Sequence, residues 1–490
     1  MFNLTEFISR HISIGAEKRM SEIQFMEREL EKWLSSPERR MMIQGEKYYH
    51  GQHDILQKKR SVIDPATGKE TPLTGLPNNQ IVDNQYRKMV NQKKNYLLGK
   101  PITITTDDET YLDYVQGIFT KRFMRMLKNL LGDSINGGKA WLFVGYDEAG
   151  ELTIRKFKPW EIKAFWADAE HTVLEAAMRV YDVYSYEGNV EKKIQKVEIY
   201  DLNGIRFYER DNGHLIPCEP FELPYLTVSV DDRIEGYNWS RIPLICFKYN
   251  ESELPLIKSV KSLQDGINTI ESTFQDNMQE DARNTILVLV NYDGQSLAEF
   301  RRNLAMYGAV KVRNDASAGG GDVKTLQVEV NAENYKTILK IFKDALIENA
   351  MGYDAKDDRL SGNPNQMNIR SMYSDIDLDA DELETEYQAS LEELMWFVNC
   401  HLANKGKGDW SDEIVEFTFN HNVMINKSDA ITDIKNSMGL LSKKTLLAMH
   451  PYVDDPEAEL DQIQEEQSEE VDDMGFMRIK KGGDGDGEEE

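Results

Sequence analysis

LPLIKSVKSLQDGINTIESTFQDNMQE, Leu254–Glu280, is the run whose reading decides the fold of this chain. Leu256, Val260, Leu263, Ile267, Ile270, Phe274 and Met278 recur in steps of mostly four and three, which lines one face of an α-helix. Lys258, Lys261, Asp265, Glu271, Gln275 and Gln279 fall on the other face. The run opens onto a strand-like excursion: TILVLVNYDG, then AVKV and TLQVEV around the Gly-rich DASAGGGD. A second helical run, Asn331–Ala350, sets Tyr335, Ile338, Phe342 and Ala345 on one face. A loop rich in Gly, Asn and Asp leads into a third helix, from Ser371 to about Ala403, with Leu383, Tyr387, Leu391, Leu394, Met395 and Val398 at helical spacing. Helix, small β insertion, helix, loop and helix make a poor catalytic layout. They suit a subunit that lines a ring or tube.

Upstream, 16–50 reads as helix restarted at Ser36-Pro37-Glu38, since proline is favoured in a helix's first turn. Residues 81–98 read as helix with Ile81, Tyr86, Met89, Val90, Lys93 and Leu97 on much of one face. Residues 108–132 read as helix carrying the basic cluster Lys121, Arg122, Arg125 and Lys128. From Lys139 to about Phe247, short strands such as AWLFVGY, KVEIYD and PLICFKY alternate with Gly, Asn and Asp turns. No helix-length connections separate them, so they read as antiparallel hairpins and the class is α+β. Downstream, 411–425 reads as strand-like, small helices follow Ser428 and Ser442, and the acidic end beyond about 460 reads as a flexible tail.

At 490 residues the chain exceeds one ordinary domain. A formal charge of −27 argues against a surface built to grip nucleic acid by neutralising phosphate. It allows one that lets nucleic acid slide past. Cys218, Cys246 and Cys400 form no CxxC, so neither a zinc knuckle nor a disulfide framework is expected. No run approaches the roughly 20 apolar residues of a membrane span.

Gly137-Gly138-Lys139 superficially suggests nucleotide binding, but without a Walker pattern it reads as a tight helix-to-strand turn. The cluster His50, His53 and Asp54 is the best metal-like grouping, and it reads as capping or packing because further ligands would come from afar. Asp231-Asp232, Asp357-Asp358 and Asp454-Asp455 read as solvated surface in so acidic a chain. His401 reads as a helix end that meets its last carbonyls. No catalytic, cofactor or metal site is expected, and the chain is not read as an enzyme.

The strings YYHGQHDI (48–55), NNQIVDN (78–84), VNQKKNYLLGKP (90–101) and MYSDIDL (372–378), in this order around the helix–insertion–helix–loop–helix pattern, carry a resemblance. Over roughly 20–450 the chain resembles the portal proteins of tailed bacteriophages, of the SPP1 type. The resemblance implies a ring of about twelve subunits at one capsid vertex. Double-stranded DNA is packaged and ejected through it. The terminase large subunit docks first and the head–tail connector later, with major capsid and scaffolding proteins around the ring. It places the protein in the virion, assembled in the host bacterial cytoplasm, with no membrane. In these terms 1–250 is the wing, 251–282 and 331–350 the two stem helices, and 283–330 the clip. Residues 351–368 are the tunnel loop, 369–425 the long wing helix and strand, 426–465 the crown and 466–490 an acidic flexible tail.

Within the implied tunnel loop, Lys356 and Arg359 are candidate contacts to the DNA backbone, with Arg370 at the loop exit as a third. Asp354, Asp357 and Asp358 beside them keep such contacts shallow. Gly352, Gly362 and Asn363 let the loop change shape. The apolar TILVLV is expected to pair between neighbouring subunits. Two other readings stay open: a ring-forming structural or scaffold-like protein that is not a portal, and a metal-dependent nuclease.

Overall fold

The computed structural model describes residues 20–63, 68–72, 76–230, 233–281, 286–290, 322–326, 332–356, 366–421, 427–453, 456 and 458–466. The chain divides into two compact units, one of Met1–Gly352 with Asp379–Asn420, the other of Tyr353–Leu378 with His421–Glu490.

In the first unit, α1 (Glu22–Ser35) starts at a capping box between Ser21 and Gln24. Ser36 ends it and caps α2 (Pro37–Tyr49). The strands β1 (Ser61–Ile63) and β2 (Glu70–Pro72) pair antiparallel. Helix α3 (Gln85–Leu98) begins at the Asn84 cap, later than the 81–98 pattern suggested. Strand β3 (Thr103–Thr105) precedes α4 (Glu109–Ile118) and α5 (Lys121–Gly137), so the run expected as one helix is two. The Thr120 side chain accepts from the Phe123 N–H and starts α5 afresh. Gly138, at φ +83°, turns the chain from α5 into β4 (Lys139–Tyr146). The tight-turn reading of this glycine pair therefore holds.

Strands β5 (Leu152–Phe157), β6 (Ile162–Trp166), β7 (Leu174–Glu187), β8 (Val190–Asp201), β9 (Gly204–Asp211), β10 (His214–Leu223), β11 (Leu226–Val230), β12 (Arg233–Tyr237) and β13 (Leu244–Lys248) follow. They form a five-stranded sheet in the order β10-β9-β8-β7-β6, a three-stranded sheet β13-β4-β5 and the pair β11-β12, all antiparallel as the turn pattern implied. The two edge strands of the larger sheet went unread. β10 carries Pro217 and Pro220 and shifts register between Pro217 and Glu222, features that an edge tolerates and a central strand does not. Met26, Leu30, Trp33 and Met42 of α1 and α2 pack on Phe165, Ala176, Met178, Val180, Val197 and Ile199 of this sheet.

The three diagnostic helices are α6 (Ile257–Asp281), α7 (Ala332–Asn349) and α8 (Gln366–Asn404). Between the first two, β14 (Ile286–Val290) pairs antiparallel with β15 (Asp322–Leu326), so the apolar strand finds its partner within its own chain. The AVKV stretch lies outside the described residues. Within the first unit, α8 meets α5 where the Tyr387 and Ser134 hydroxyls lie 2.7 Å apart, and meets β13 where Ser390 donates to the Cys246 carbonyl at 2.8 Å. Among the described residues of the strand-like 411–425, β16 (Glu416–Thr418) is the strand, paired with β3. The second unit contains α9 (Lys427–Ser437) and α10 (Lys443–Ala448), the latter capped by Ser442 as expected. Residues 467–490, most of the acidic tail, lie outside the described residues.

Candidate functional site

The two stem-like helices hold their surroundings by polar contacts that the apolar pattern did not disclose. Gln264, Asn268, Ser272 and Asp276 repeat every fourth residue of α6 and are all buried. They face the extended segment that leads into α3. Asn79 N–H donates to Asp276 Oδ1 at 2.7 Å, Ile81 N–H to Ser272 Oγ at 2.9 Å, and Asp83 N–H to Asn268 Oδ1 at 3.1 Å. Tyr86 N–H ends the series on Gln264 Oε1 at 2.8 Å. Four residues of helix rise about 6 Å and two residues of extended chain about 6.6 Å, so the repeats stay in step over this length. The polar stripe of α6 thereby acts as the missing strand partner. This is why 81–83 stays extended although the 81–98 pattern looked helical.

Burial pushes the Asp276 carboxyl up, but the Asn79 N–H and the Lys58 ammonium at 2.8 Å hold it below the usual carboxylate range. Leu263, Ile270 and Phe274 are only half-buried, and Met278 is exposed. The expected apolar stripe therefore holds at Leu256, Val260 and Ile267 and gives way to polar contacts beyond.

His53 is built into the same network. Its ring stacks on Tyr48, Nε2 lies 3.0 Å from the Tyr48 carbonyl, and Nδ1 lies 2.8 Å from Asn268 Nδ2. Because Asn268 Oδ1 already accepts from Asp83, its amide nitrogen must donate to Nδ1. His53 is thus the neutral Nε2–H tautomer. Burial pushes its pKa down, in keeping with that state. His50 caps α2. The packing and capping reading of this cluster holds. His401 departs from its reading: its ring turns to the Tyr146 hydroxyl at 3.1 Å instead of the helix carbonyls.

Helix α7 closes on α6 through Lys343, 2.6 Å from Asp83 and 3.4 Å from Glu271, and through Tyr335, which meets Phe274 and accepts from Asn277. It ends in a tight turn in which Met351 N–H donates to Glu348 O, and Gly352 N–H to Ile347 O at 2.9 Å. The left-handed conformation falls on Met351, at φ +47°. Gly352 is buried, and a Cβ there would lie 2.7 Å from Met89 Sδ, so close approach to α3 is what requires glycine.

One side chain holds the first unit at both points where the chain leaves and re-enters it. Lys93 Nζ lies 2.6 Å from Asp379 Oδ2 and 3.4 Å from the Met351 carbonyl, and Tyr249 donates to Asp379 Oδ1 at 2.8 Å. The Lys93 side chain is 1% exposed. Burial lowers its pKa, and the Asp379 carboxylate opposes that shift.

Among the proposed DNA contacts, Lys356 and Arg370 lie in the second unit and are exposed. Lys356 follows a turn in which its N–H donates to Asp354 Oδ1 at 3.1 Å, and Arg370 sits within α8, whose start at Gln366 precedes the expected loop end. In this unit Tyr353 meets Tyr373 with ring centres 4.6 Å apart. Arg359, Gly362 and Asn363 lie outside the described residues, as do the Asp231, Asp357 and Asp454 pairs. Among the described residues there is no cluster of three His, Cys, Asp or Glu able to hold a metal ion, and no helix long and apolar enough to cross a membrane.

Residues 36–473 match the family described as phage portal protein, SPP1 Gp6-like. The portal protein of Bacillus phage SPP1 is 30% identical over 456 residues, 92% of this chain and 88% of that protein. The portal protein of Clostridium phage phiCD119 is 27% identical over 433 residues, 86% of this chain and 91% of that protein. Among solved structures, a chain from the virion of a native gene transfer agent particle is similar at TM-score 0.40 and 12% identity, covering 74% of this chain and 89% of that one. A chain from the neck of such a particle gives TM-score 0.37 at 13% identity, covering 74% and 88%.

Proposed function

The chain belongs to the phage portal protein family, SPP1 Gp6-like, and from that membership we propose that it is one subunit of a ring of about twelve at a single capsid vertex, through which double-stranded DNA is packaged and ejected. On this reading the terminase large subunit and then the head–tail connector dock around the β14–β15 hairpin, and major capsid and scaffolding proteins surround the body. The ring is a conduit and not an enzyme, and a separate ATPase supplies the force. It is built in the host bacterial cytoplasm and resides in the virion.

The observation that carries this reading is the Lys93 clamp. A loop brushed by moving DNA has to shift without loosening the wall from which it hangs. The buried Lys93 ammonium pairs at 2.6 Å with Asp379, on α8 where the chain re-enters the first unit, and makes a longer 3.4 Å contact to the Met351 carbonyl just before the chain leaves it. Exposure of Ile338 (44%) and Ile341 (58%) on α7 and of Met278 (48%) on α6 leaves apolar surface for neighbouring subunits to cover. The net charge of −27 keeps polyanion binding weak, as a conduit needs, while Lys356, Arg359 and Arg370 supply local contacts.

Electron microscopy of the purified chain tests the ring. Class averages along the axis are expected to show a closed ring with a pore wide enough for duplex DNA. A persistent monomer or a poreless dimer, across protein and salt concentrations, overturns the reading. Charge reversal at Lys356, Arg359 and Arg370 is expected to leave rings intact and impair packaging. Unchanged packaging removes the assigned role of these residues.

A further inference from the structure

Two faces of the first unit carry an excess of one charge sign. On α5, Lys121, Arg122 and Arg125 are exposed and Lys128 is half-buried, and none of the four side chains has a hydrogen-bond or ion-pair partner among the described residues. They share one stripe of the helix, which continues to Gly132, where the Lys94 ammonium lies across the helix. From Lys121 to Gly132 the stripe runs about 16 Å. Burial lowers the Lys94 pKa, and Lys128 and Lys156 lower it further against Asp133. In a chain of net charge −27, such a stripe of unpaired cations is an anomaly.

The second face is a groove of about 1150 Å³ between α8 and the neighbouring strand ends, with Glu386, Glu392, Glu393 and Glu413 in its lining. Glu386 and Glu393 are half-buried, and their carboxylates have no hydrogen-bond or ion-pair partner among the described residues. Burial pushes Glu393 up to about 7, although Arg241, which lies on the Trp396 ring, attracts it through space. A cation entering the groove would relieve that cost.

The helical spacing sets the two faces back to back. Glu386, Glu393 and Trp396 share one side of α8, while Tyr387, Leu391 and Leu394 share the other, through which α8 meets Ser134 of α5. On α5, Ser134 falls opposite the Arg122–Arg125 stripe. Stripe and groove thus face away from each other across the α5–α8 layer. Two complementary surfaces on opposite sides of one body repeat head to tail, the geometry that closes into rings.

We propose that the cationic stripe of α5 in one subunit seats against the acid-lined groove of α8 in the next copy. This rests on the ring reading above. Duplex DNA is the weaker occupant for the stripe. The surrounding net negative charge repels a polyanion, whereas the groove offers Glu386, Glu392, Glu393 and Glu413, which outnumber the Arg241 and Lys248 that line it with them.

The test uses the full chain, with assembly followed by sedimentation and electron microscopy at near-physiological salt. Arg122→Glu with Arg125→Glu gives a stripe variant, and Glu386→Lys with Glu393→Lys a groove variant. A second groove variant, Glu392→Lys with Glu413→Lys, guards against a misfolded first. Each alone is expected to raise the concentration for half-assembly at least about tenfold, with circular dichroism unchanged. An equimolar mixture of stripe and groove variants is expected to recover assembly, because every contact in an alternating ring is again complementary.

Single variants that assemble like the wild type overturn the inference and leave the ring reading standing. A mixture that fails to recover also overturns it. So do stripe variants that keep rings but lose DNA retention, which assigns the stripe to DNA. A wild-type chain that never forms rings defeats the portal reading itself.

Discussion

Replacing Lys93 by methionine puts the clamp to its most direct test. The substitution keeps most of the buried stem and removes the ammonium. Asp379, whose side chain is 12% exposed, keeps only the Tyr249 hydroxyl at 2.8 Å and loses its counter-charge at 2.6 Å. Removing one partner of a buried ion pair costs about 3–5 kcal/mol, mostly as the penalty of the stranded charge. The 3.4 Å contact to the Met351 carbonyl is long and adds little. At about 1.4 kcal/mol per decade, the opening equilibrium around the Lys93–Asp379 pair should rise roughly a hundredfold to a few thousandfold. Hydrogen exchange reads this at the amides of α8 around Asp379. Lys93→Met with Asp379→Leu and Tyr249→Phe should recover most of the loss, since apolar groups of similar volume replace a buried ion pair at little cost and the phenylalanine leaves no hydroxyl without its acceptor. A rise in exchange of less than about fivefold in the single variant, under 1 kcal/mol, would refute the clamp. So would a triple variant as damaged as the single one.

Asn268→Leu strands the Asp83 N–H, the His53 Nδ1 and one N–H of the Gln264 amide, each polar group costing about 1–3 kcal/mol; denaturant unfolding should show a loss of about 3–9 kcal/mol. Because burial lowers the His53 pKa below its ordinary 6.5, the unfolded chain binds more protons, and stability should be complete above that pH and fall as pH drops below it. His53→Gln should flatten this limb in unfolding curves recorded against pH. Glu393 has the opposite sign: with its pKa raised from 4.5 to about 7, its contribution is complete below 4.5 and lost as pH rises to about 7. Glu393→Gln should abolish that slope in the unassembled chain, and an unchanged slope would place the titrating group elsewhere. Purified protein supplied with Mg²⁺ or Mn²⁺ should leave duplex DNA intact over hours, and divalent-dependent cleavage would restore the nuclease reading.

What could be read from the sequence was what local periodicity and breakers control. The spacing around Leu256 and Val260 located α6 to within a few residues, the one around Tyr335 and Phe342 located α7, and the one around Tyr387 and Leu391 located α8. The Gly137-Gly138 turn was legible because a left-handed residue after a helix is a local requirement. The edge strands β6 and β10 escaped because edges tolerate prolines and short length. The start of α3 was misplaced because Ile81 and Asp83 looked helical from their own spacing. Only the polar stripe of α6, distant in the chain, holds them extended.

The candidate site divides the same way. The family resemblance alone implied the tunnel loop at 351–368, with Lys356 in it and Arg370 at its exit. Lys93 shares its helix face with Ile81, Tyr86, Met89, Val90 and Leu97, a signal of a paired charge that the periodicity alone left unread. Its partners, Asp379 and the Met351 carbonyl, are far along the chain. Helical and strand periods report which side of an element is turned inward. They carry no information about which distant group it meets there. Burial makes that choice consequential, since an unpaired ammonium in the interior would cost several kcal/mol, and only the tertiary structure brings the two carboxylate and carbonyl oxygens to it.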